Sequence, residues 1–358
     1  MGSSKRSGSA VLTRALAVVA GAVAALGLLT ACATIEDSDG TIALLLPDAK
    51  TARYETFDRP FFEERVAELG DYRVLYTNAD GDAAEQQQQA ESALTAGADV
   101  LVLDPVDSRA AVVIVDSATA QGVPVISYDR LIAGGDLAYY VSFDNEKVGL
   151  LQGEAFVTAM AERGTPTGGI LMVNGSPTDS NAAQFREGAR QAIDASGVRV
   201  LAEFDTPGWS PDQAQDWVAG QIALYGDQIA GVYAANDGTA GGAVAALKAA
   251  DADPWPVITG QDAELSAVQR IVGGDQYMTV YKAIRPQARL AAEVAVALIA
   301  GDEVTAPLEI DGTPATLLDP VAVTVDNILE TVVADGFWTV EQICTPEYAA
   351  ACEAAGIL

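Results

Sequence analysis

Val123–Arg130 reads VPVISYDR, an apolar, β-branched run that stops on a carboxylate and a guanidinium. The same layout returns at Val141–Asn145 (VSFDN), Gly231–Asp237 (GVYAAND), Val257–Asp262 (VITGQD) and Met278–Lys282 (MTVYK). Each run has the length and apolar continuity of a strand buried on both faces of a parallel sheet, and each precedes a helical pattern. In open α/β sheets ligands sit just beyond the carboxyl ends of the strands. Asp129, Arg130, Asn236, Asp262 and Lys282 are therefore expected to converge on one cleft. Carboxylates accept hydrogen bonds while Arg, Lys and Asn donate them, which suits a small neutral molecule with many hydroxyls.

Working outward, the first half carries strand patterns at Thr41–Leu46, Tyr72–Thr77, Asp99–Leu103, Val123–Tyr128 and Tyr139–Phe143. Helical runs at Glu85–Ala96 and Arg109–Gln121 lie between them and close on Gly97 and Gly122. The second half repeats the rhythm with strands at Gly169–Val173, Val198–Phe204, Ile229–Ala234, Pro256–Thr259 and Met278–Tyr281. Its helices are Ala182–Ala195, Pro211–Leu224 and Ala240–Ala250, and a long helical segment, Glu146–Arg163, joins the two series. Strands alternating with helices mean βαβ units and parallel sheets. A chain this long exceeds one hydrophobic core, so two doubly wound α/β lobes are expected. A helix at Ile284–Ala300, a strand at Pro320–Val325 and a helix around Asn327–Ala334 must then complete one or both sheets, so the chain is expected to cross between lobes more than once.

The N-terminus reads as an export signal. Lys5, Arg6 and Arg14 precede the apolar run Ala15–Leu29, which is short and Ala-rich for a membrane span. It ends in Leu29-Thr30-Ala31-Cys32, which looks like a bacterial lipobox, so residues 1–31 are expected to be removed and Cys32 lipidated, with 32–40 as a tether. Removal takes three basic residues and moves the net charge from −30 to −33. So acidic a surface argues against nucleic acid and against a basic membrane-binding face. Besides Cys32 the cysteines are Cys344 and Cys352, expected in an oxidising compartment to form a small disulfide loop.

Catalytic and cofactor motifs fail. Walker-type and GxGxxG phosphate loops and a GxSxG elbow are absent, and without histidine neither a Ser-His-Asp triad nor a histidine–metal site is possible. Asn78–Asp82 lacks the ligand set of a calcium loop, so no metal and no cofactor are expected. Gln86–Gln89 reads as a solvated helix face. A carbohydrate hydrolase using two of the carboxylates stays open on residue types alone. A polyol site also needs flat apolar surface, offered by Tyr54, Tyr128, Phe143, Phe185 and Trp209. Tyr128 and Phe143 read equally well as core. Trp209 lies in the loop Thr206–Pro211, where periodicity does not force burial, and reads as a stacking platform. Asp237 reads as a helix cap that leaves Asn236 free, and Asp262 as a possible cap at Ala263.

Ile126–Arg130, Ser142–Gly149 (SFDNEKVG), Gly175–Asn181 (GSPTDSN), Asn236–Gly242 (NDGTAGG), Gly260–Asp262 (GQD) and Met278–Lys282 together resemble bacterial ABC-transporter sugar-binding proteins of the ribose/galactose/xylose superfamily, most closely the D-xylose-binding group. The likeness spans roughly residues 41–337. It implies the type I periplasmic binding protein fold, two lobes joined by a multi-strand hinge that close on one monosaccharide. Carried onto matching positions, it implies Arg53, Tyr54, Asp129 and Arg130 as sugar-binding residues of the first lobe. From the second it implies Asp179, Asn181, Trp209, Asn236 and Asp262, with Lys282 near the hinge. The first lobe is expected from 41–147 plus about 285–320, the second from 148–282 plus about 321–340, and a C-terminal extension from 341–358. The implied partners are D-xylose or another pentose or hexose, an ABC permease with its ATPase subunits, and the membrane through the lipid on Cys32. The resemblance further implies a monomer on the outer face of the cytoplasmic membrane, without enzyme activity, and leaves a chemosensory role open.

Overall fold

The computed structural model describes residues 38–358; the expected signal peptide, Cys32 and the tether up to residue 37 lie outside them. In chain order the first stretch comprises β1 (Gly40–Leu46), α1 (Arg59–Leu69), β2 (Tyr72–Asn78), α2 (Ala83–Thr95), β3 (Val100–Leu103), α3 (Val112–Thr119), β4 (Val125–Tyr128) and β5 (Tyr139–Phe143). Then follow α4 (Asn145–Glu162), β6 (Gly169–Asn174), α5 (Ser180–Ser196), β7 (Arg199–Asp205), α6 (Pro211–Tyr225), β8 (Ile229–Ala234), α7 (Asp237–Ala249), β9 (Val257–Ile258), α8 (Leu265–Gly273) and β10 (Met278–Tyr281). The chain ends with α9 (Ile284–Ala300), β11 (Leu308–Ile310), β12 (Thr313–Leu318), β13 (Val321–Thr324), α10 (Val340–Ile343) and α11 (Ala349–Ala354).

The first lobe is built on one sheet of order β11-β12-β5-β4-β3-β1-β2, parallel except where the edge strand β11 pairs antiparallel with β12. Alternation along β1 explains its two-sided cover, because successive side chains point to opposite faces. Ile42, Leu44 and Leu46 pack with Val100, Val102 and the Ala288, Ala292 and Ala295 stripe of α9, whereas Ala43 and Leu45 pack with Ala90, Leu94, Ile114 and Val115. The second lobe has a parallel sheet of order β7-β6-β8-β9. Ile170 and Met172 face Phe156, Met160 and Phe185, while Leu171 and Val173 face Val218, Val244 and Leu247.

The chain passes between the sheets three times, at Asp144, at Lys282–Ala283 and at Asp319–Pro320. Met278–Tyr281, expected as a parallel strand, is parallel on its β9 side and also forms an antiparallel ladder with β13. Its other edge bonds to the end of β9, where Tyr277 N donates to Ile258 O at 2.8 Å and Val280 N to Gly260 O at 3.1 Å. The helix expected around Asn327–Ala334 is present as a 3-10 helix at Val325–Asn327 followed by a π-helix at Leu329–Val333.

The C-terminal segment does more than extend the chain. Phe337, Ile343, Cys352 and Ile357 join Val268 and Ile271 of α8 with Tyr281 and Val323 in a shared core beside the crossings. Cys344 and Cys352 are bonded there, with Cα atoms 5.9 Å apart. Among the described residues no helix is long and apolar enough to cross a membrane.

Candidate functional site

Strand ends of both lobes face each other across one shared cavity. The ten expected residues, Arg53, Tyr54, Asp129, Arg130, Asp179, Asn181, Trp209, Asn236, Asp262 and Lys282, all line it, joined by Thr51, Phe185 and Gln261. Three lining residues, Asp129 (φ 58°), Trp209 (φ 55°) and Asp262 (φ 99°), have the left-handed backbone that side chains other than glycine rarely adopt. Such conformations persist where the surroundings over-determine them, as at ligand clamps.

The first-lobe wall is ionic and already tied. The Arg53 guanidinium grips Asp58 through two parallel hydrogen bonds of 2.9 and 2.6 Å and reaches Asp129 at 3.0 Å. Gln287 of α9 closes the ring by accepting from Arg53 at 2.8 Å and donating to Asp129 at 3.2 Å. Burial alone would push the Asp129 carboxyl up, but Arg53, Lys282 and Arg130 outweigh it and hold it down at about 2. Arg130 donates to Tyr54 Oη and Pro105 O, both at 3.1 Å. Its Nε lies 2.8 Å from Asp179 of the opposite lobe and 3.6 Å from Asp104. The Asp104 carboxylate is fully buried with no hydrogen-bond partner on either oxygen among the described residues, and burial raises its pKa well above the usual range.

The second-lobe wall is mostly neutral. Asp179 caps α5 by accepting from Asn181 N at 2.8 Å, and its other oxygen accepts from Trp209 Nε1 at 2.9 Å. The indole packs over Gly175, where a Cβ would lie 2.0 Å from the ring, so only glycine leaves room for it. Trp209 is thus buried and held at its edge, with Phe185 T-shaped against it at 6.3 Å. Asn181 Oδ1 accepts from Asn145 at 2.9 Å, and Asn181 Nδ2 approaches Asp129 across the cleft at 3.4 Å. Lys282 pairs with Asp262 at 3.1 Å at the β10–α9 crossing.

Three roles differ from expectation. Asn236, not Asp237, is the N-cap of α7: its backbone is extended and its Oδ1 accepts from Thr239 N in a capping box, while its amide nitrogen makes no hydrogen bond among the described residues. Asp237 is buried below, accepting from Gln276 and Thr279, each at 2.8 Å, and from Glu264 N at 3.0 Å. Burial pushes its carboxyl up to about 7 despite Arg270. Asp262 does not cap a helix either, because α8 opens three residues later, at Leu265, with Glu264 as its N-cap. Finally, Gln86 is buried rather than solvated, donating to Asp104 O and accepting from Val106 N, so it fixes the strand end beside Arg130. Of the aromatics, Tyr128 and Phe143 are core.

Sequence reasoning did not assign Thr51, Gln261 or Gln287. Gln287 had a usable signal, since it falls on the apolar stripe Ile284, Ala288, Ala291, Ala295 of α9, where a polar residue must have a partner. Among the described residues no group of His, Cys, Asp or Glu could hold a metal ion.

Comparison with known proteins agrees with this geometry. The family model described as periplasmic binding protein domain matches residues 42–303. The D-xylose-binding periplasmic protein of Haemophilus influenzae is 38% identical over 313 residues, covering 85% of this chain and 92% of that protein. That of Escherichia coli K12 is 36% identical, covering 83% and 90%. The ABC-transporter solute-binding protein of Clostridium phytofermentans, solved with β-D-glucose bound, superposes with a TM-score of 0.77 at 28% identity, covering 85% of this chain and 99% of that one. The chain belongs to the periplasmic binding protein domain family, with the two-lobed architecture of its type I members.

Proposed function

We propose that this protein is an extracytoplasmic receptor that captures one monosaccharide, D-xylose first, by closure of its lobes and delivers it to an ABC permease. The observation that carries the reading is the shared cavity to which both lobes contribute charged groups, amides and one indole. The relatives named for D-xylose binding, which this chain matches over most of its length, support the choice of sugar. With the lobes apart, water solvates both walls. A pyranose bridging Asp129 and Arg130 on one side and Asn236 and Asp262 on the other makes contacts available only when they meet, so it shifts the population toward closure. Micromolar affinity corresponds to about −8 kcal/mol, within reach of a few charge-assisted hydrogen bonds and one stacked ring. The lipid proposed on Cys32 keeps the receptor beside its permease. In this reading the carboxylates bind and orient the sugar rather than cleave a bond.

A thermal-shift screen over pentoses and hexoses, followed by calorimetry, tests this directly, since a ligand that binds only the folded state raises the melting temperature by mass action. D-Xylose is expected to give the largest shift, with no release of aglycone from aryl glycosides. Absence of a shift with every sugar, or steady turnover of a glycoside, overturns the proposal.

A further inference from the structure

Gln261 differs from its neighbours in the cavity, where the buried Arg130 Nε and Asp262 Oδ1 also make no hydrogen bond but have ion partners, Asp179 at 2.8 Å and Lys282 at 3.1 Å. It is only 2% exposed and lines the cavity, yet its Oε1 is buried without a hydrogen-bond partner among the described residues, and its amide nitrogen makes no hydrogen bond there either. A buried side-chain amide left unpaired costs about 1–3 kcal/mol, so one that persists is waiting for a partner. The backbone around it is fixed. Gln261 O accepts from Asp237 N at 2.8 Å, Asp262 N donates to Val280 O at 2.9 Å, and Ala263 N donates to Thr279 Oγ1 at 3.1 Å. Gly260 admits no side chain, because a Cβ there would lie 2.0 Å from Asp237 Oδ1. The frame therefore holds Gln261 in place without using its amide. Asn236, by contrast, spends its oxygen on the helix cap, and Asn181 and Asp179 spend theirs on Asn145, Trp209 and Asn181 N.

We propose that Gln261 reads one hydroxyl of the bound sugar and so sets which epimer the protein prefers. The inference rests on the sugar-receptor reading and assigns specificity to one residue within it. Oε1 accepts from the hydroxyl and the NH2 group can donate to it or to an adjacent one, so a sugar with that hydroxyl inverted or missing leaves the amide unpaired in a closed site. Sites built to hydrogen-bond a hydroxyl reject analogues lacking it far more strongly than apolar pockets reject extra bulk.

The test is a calorimetric cycle on the full folded protein, using the tightest-binding aldose of the pentose and hexose screen and its monodeoxy analogues, with wild type, Gln261→Met and Gln261→Asn. Gln261→Met keeps the size and removes the amide. Gln261→Asn keeps the amide but falls short of the hydroxyl and guards against loss of the fold. Both variants are expected to bind the parent aldose about 10–100-fold more weakly. Both are expected to bind one particular deoxy sugar as well as wild type does, so that discrimination vanishes at that carbon and survives at the others. Equal weakening toward every sugar, or no change at all, overturns the inference while leaving the receptor reading intact. A wild-type protein that binds none of the sugars overturns both.

Discussion

The two walls of the cavity are built on different principles. On the first-lobe side, Arg53, Asp58, Asp129 and Gln287 form a ring of mutual hydrogen bonds, and Arg130 is held by Tyr54, Pro105 O and Asp179. On the second-lobe side the amides of Asn236 and Gln261 keep unspent groups. Buried charges must be paired before a ligand arrives, because the cost of an unpaired one is several kcal/mol. Neutral amides tolerate the wait. The ionic wall therefore supplies rigid geometry at the expense of free valences, and the amide wall supplies the hydrogen bonds still to be made.

The largest effect expected from this contrast is on stability. Arg53→Ala leaves Asp58 and Asp129 buried and unpaired and is expected to cost about 3–5 kcal/mol of unfolding free energy without sugar, measured by denaturant titration, besides abolishing binding. A near-neutral change would break the distinction between the walls.

Next comes pH. Asp237, below the amide wall, has its carboxyl raised from 3.8 to about 7, and Glu264 beside it is raised to about 8, chiefly by burial. A raised carboxyl stabilises the fold below its unfolded pKa, and that contribution is lost as pH climbs through the folded value. Stability is thus expected to fall by about 2–3 kcal/mol between pH 5 and pH 8 on account of Asp237, and Asp237→Asn is expected to flatten the profile. Asp129, held at about 2, works in the opposite sense: its contribution is present above the ordinary carboxylate range and is lost as pH falls toward 2. Melting temperatures across pH for the wild type and Asp237→Asn check both signs.

Away from both walls, reducing the Cys344–Cys352 bond is expected to cost about 2 kcal/mol through loop entropy. Sugar affinity should not change, which calorimetry with and without reductant measures. The smallest effect sharpens the comparison most. Asn236→Asp keeps the cap oxygen and removes the amide donor, so affinity should drop about tenfold, or ~1.4 kcal/mol, with the melting point of the sugar-free protein nearly unmoved. Asn236→Ala is a poorer probe, because it also removes the helix cap.

Much of this was legible in the sequence. Runs such as VPVISYDR and GVYAAND announce buried parallel strands, and placing polar residues at their carboxyl ends locates the cavity before any coordinates. What escaped is decided by geometry that composition does not carry. The antiparallel partner on the other edge of β10 is β13, some forty residues on. Asn236 and Asp237 are both good caps by chemistry; the extended backbone at Asn236, and the pull of Gln276 and Thr279 on Asp237, settle which one caps. Gln86 looked solvated because its three glutamine neighbours share its chemistry, although it lies on the buried stripe with Ala90, Ala93 and Leu94. Gln261 carried no signal at all, since an unspent hydrogen bond is visible only when every neighbour is in place.

The most direct test of the account is a crystal structure of the protein with D-xylose. The account expects one pyranose in the cavity between the lobes, touching Asp129 or Arg130 from one lobe and Asn236 and Asp262 from the other. A sugar bound on one lobe alone, or elsewhere on the surface with this cavity empty, would contradict it.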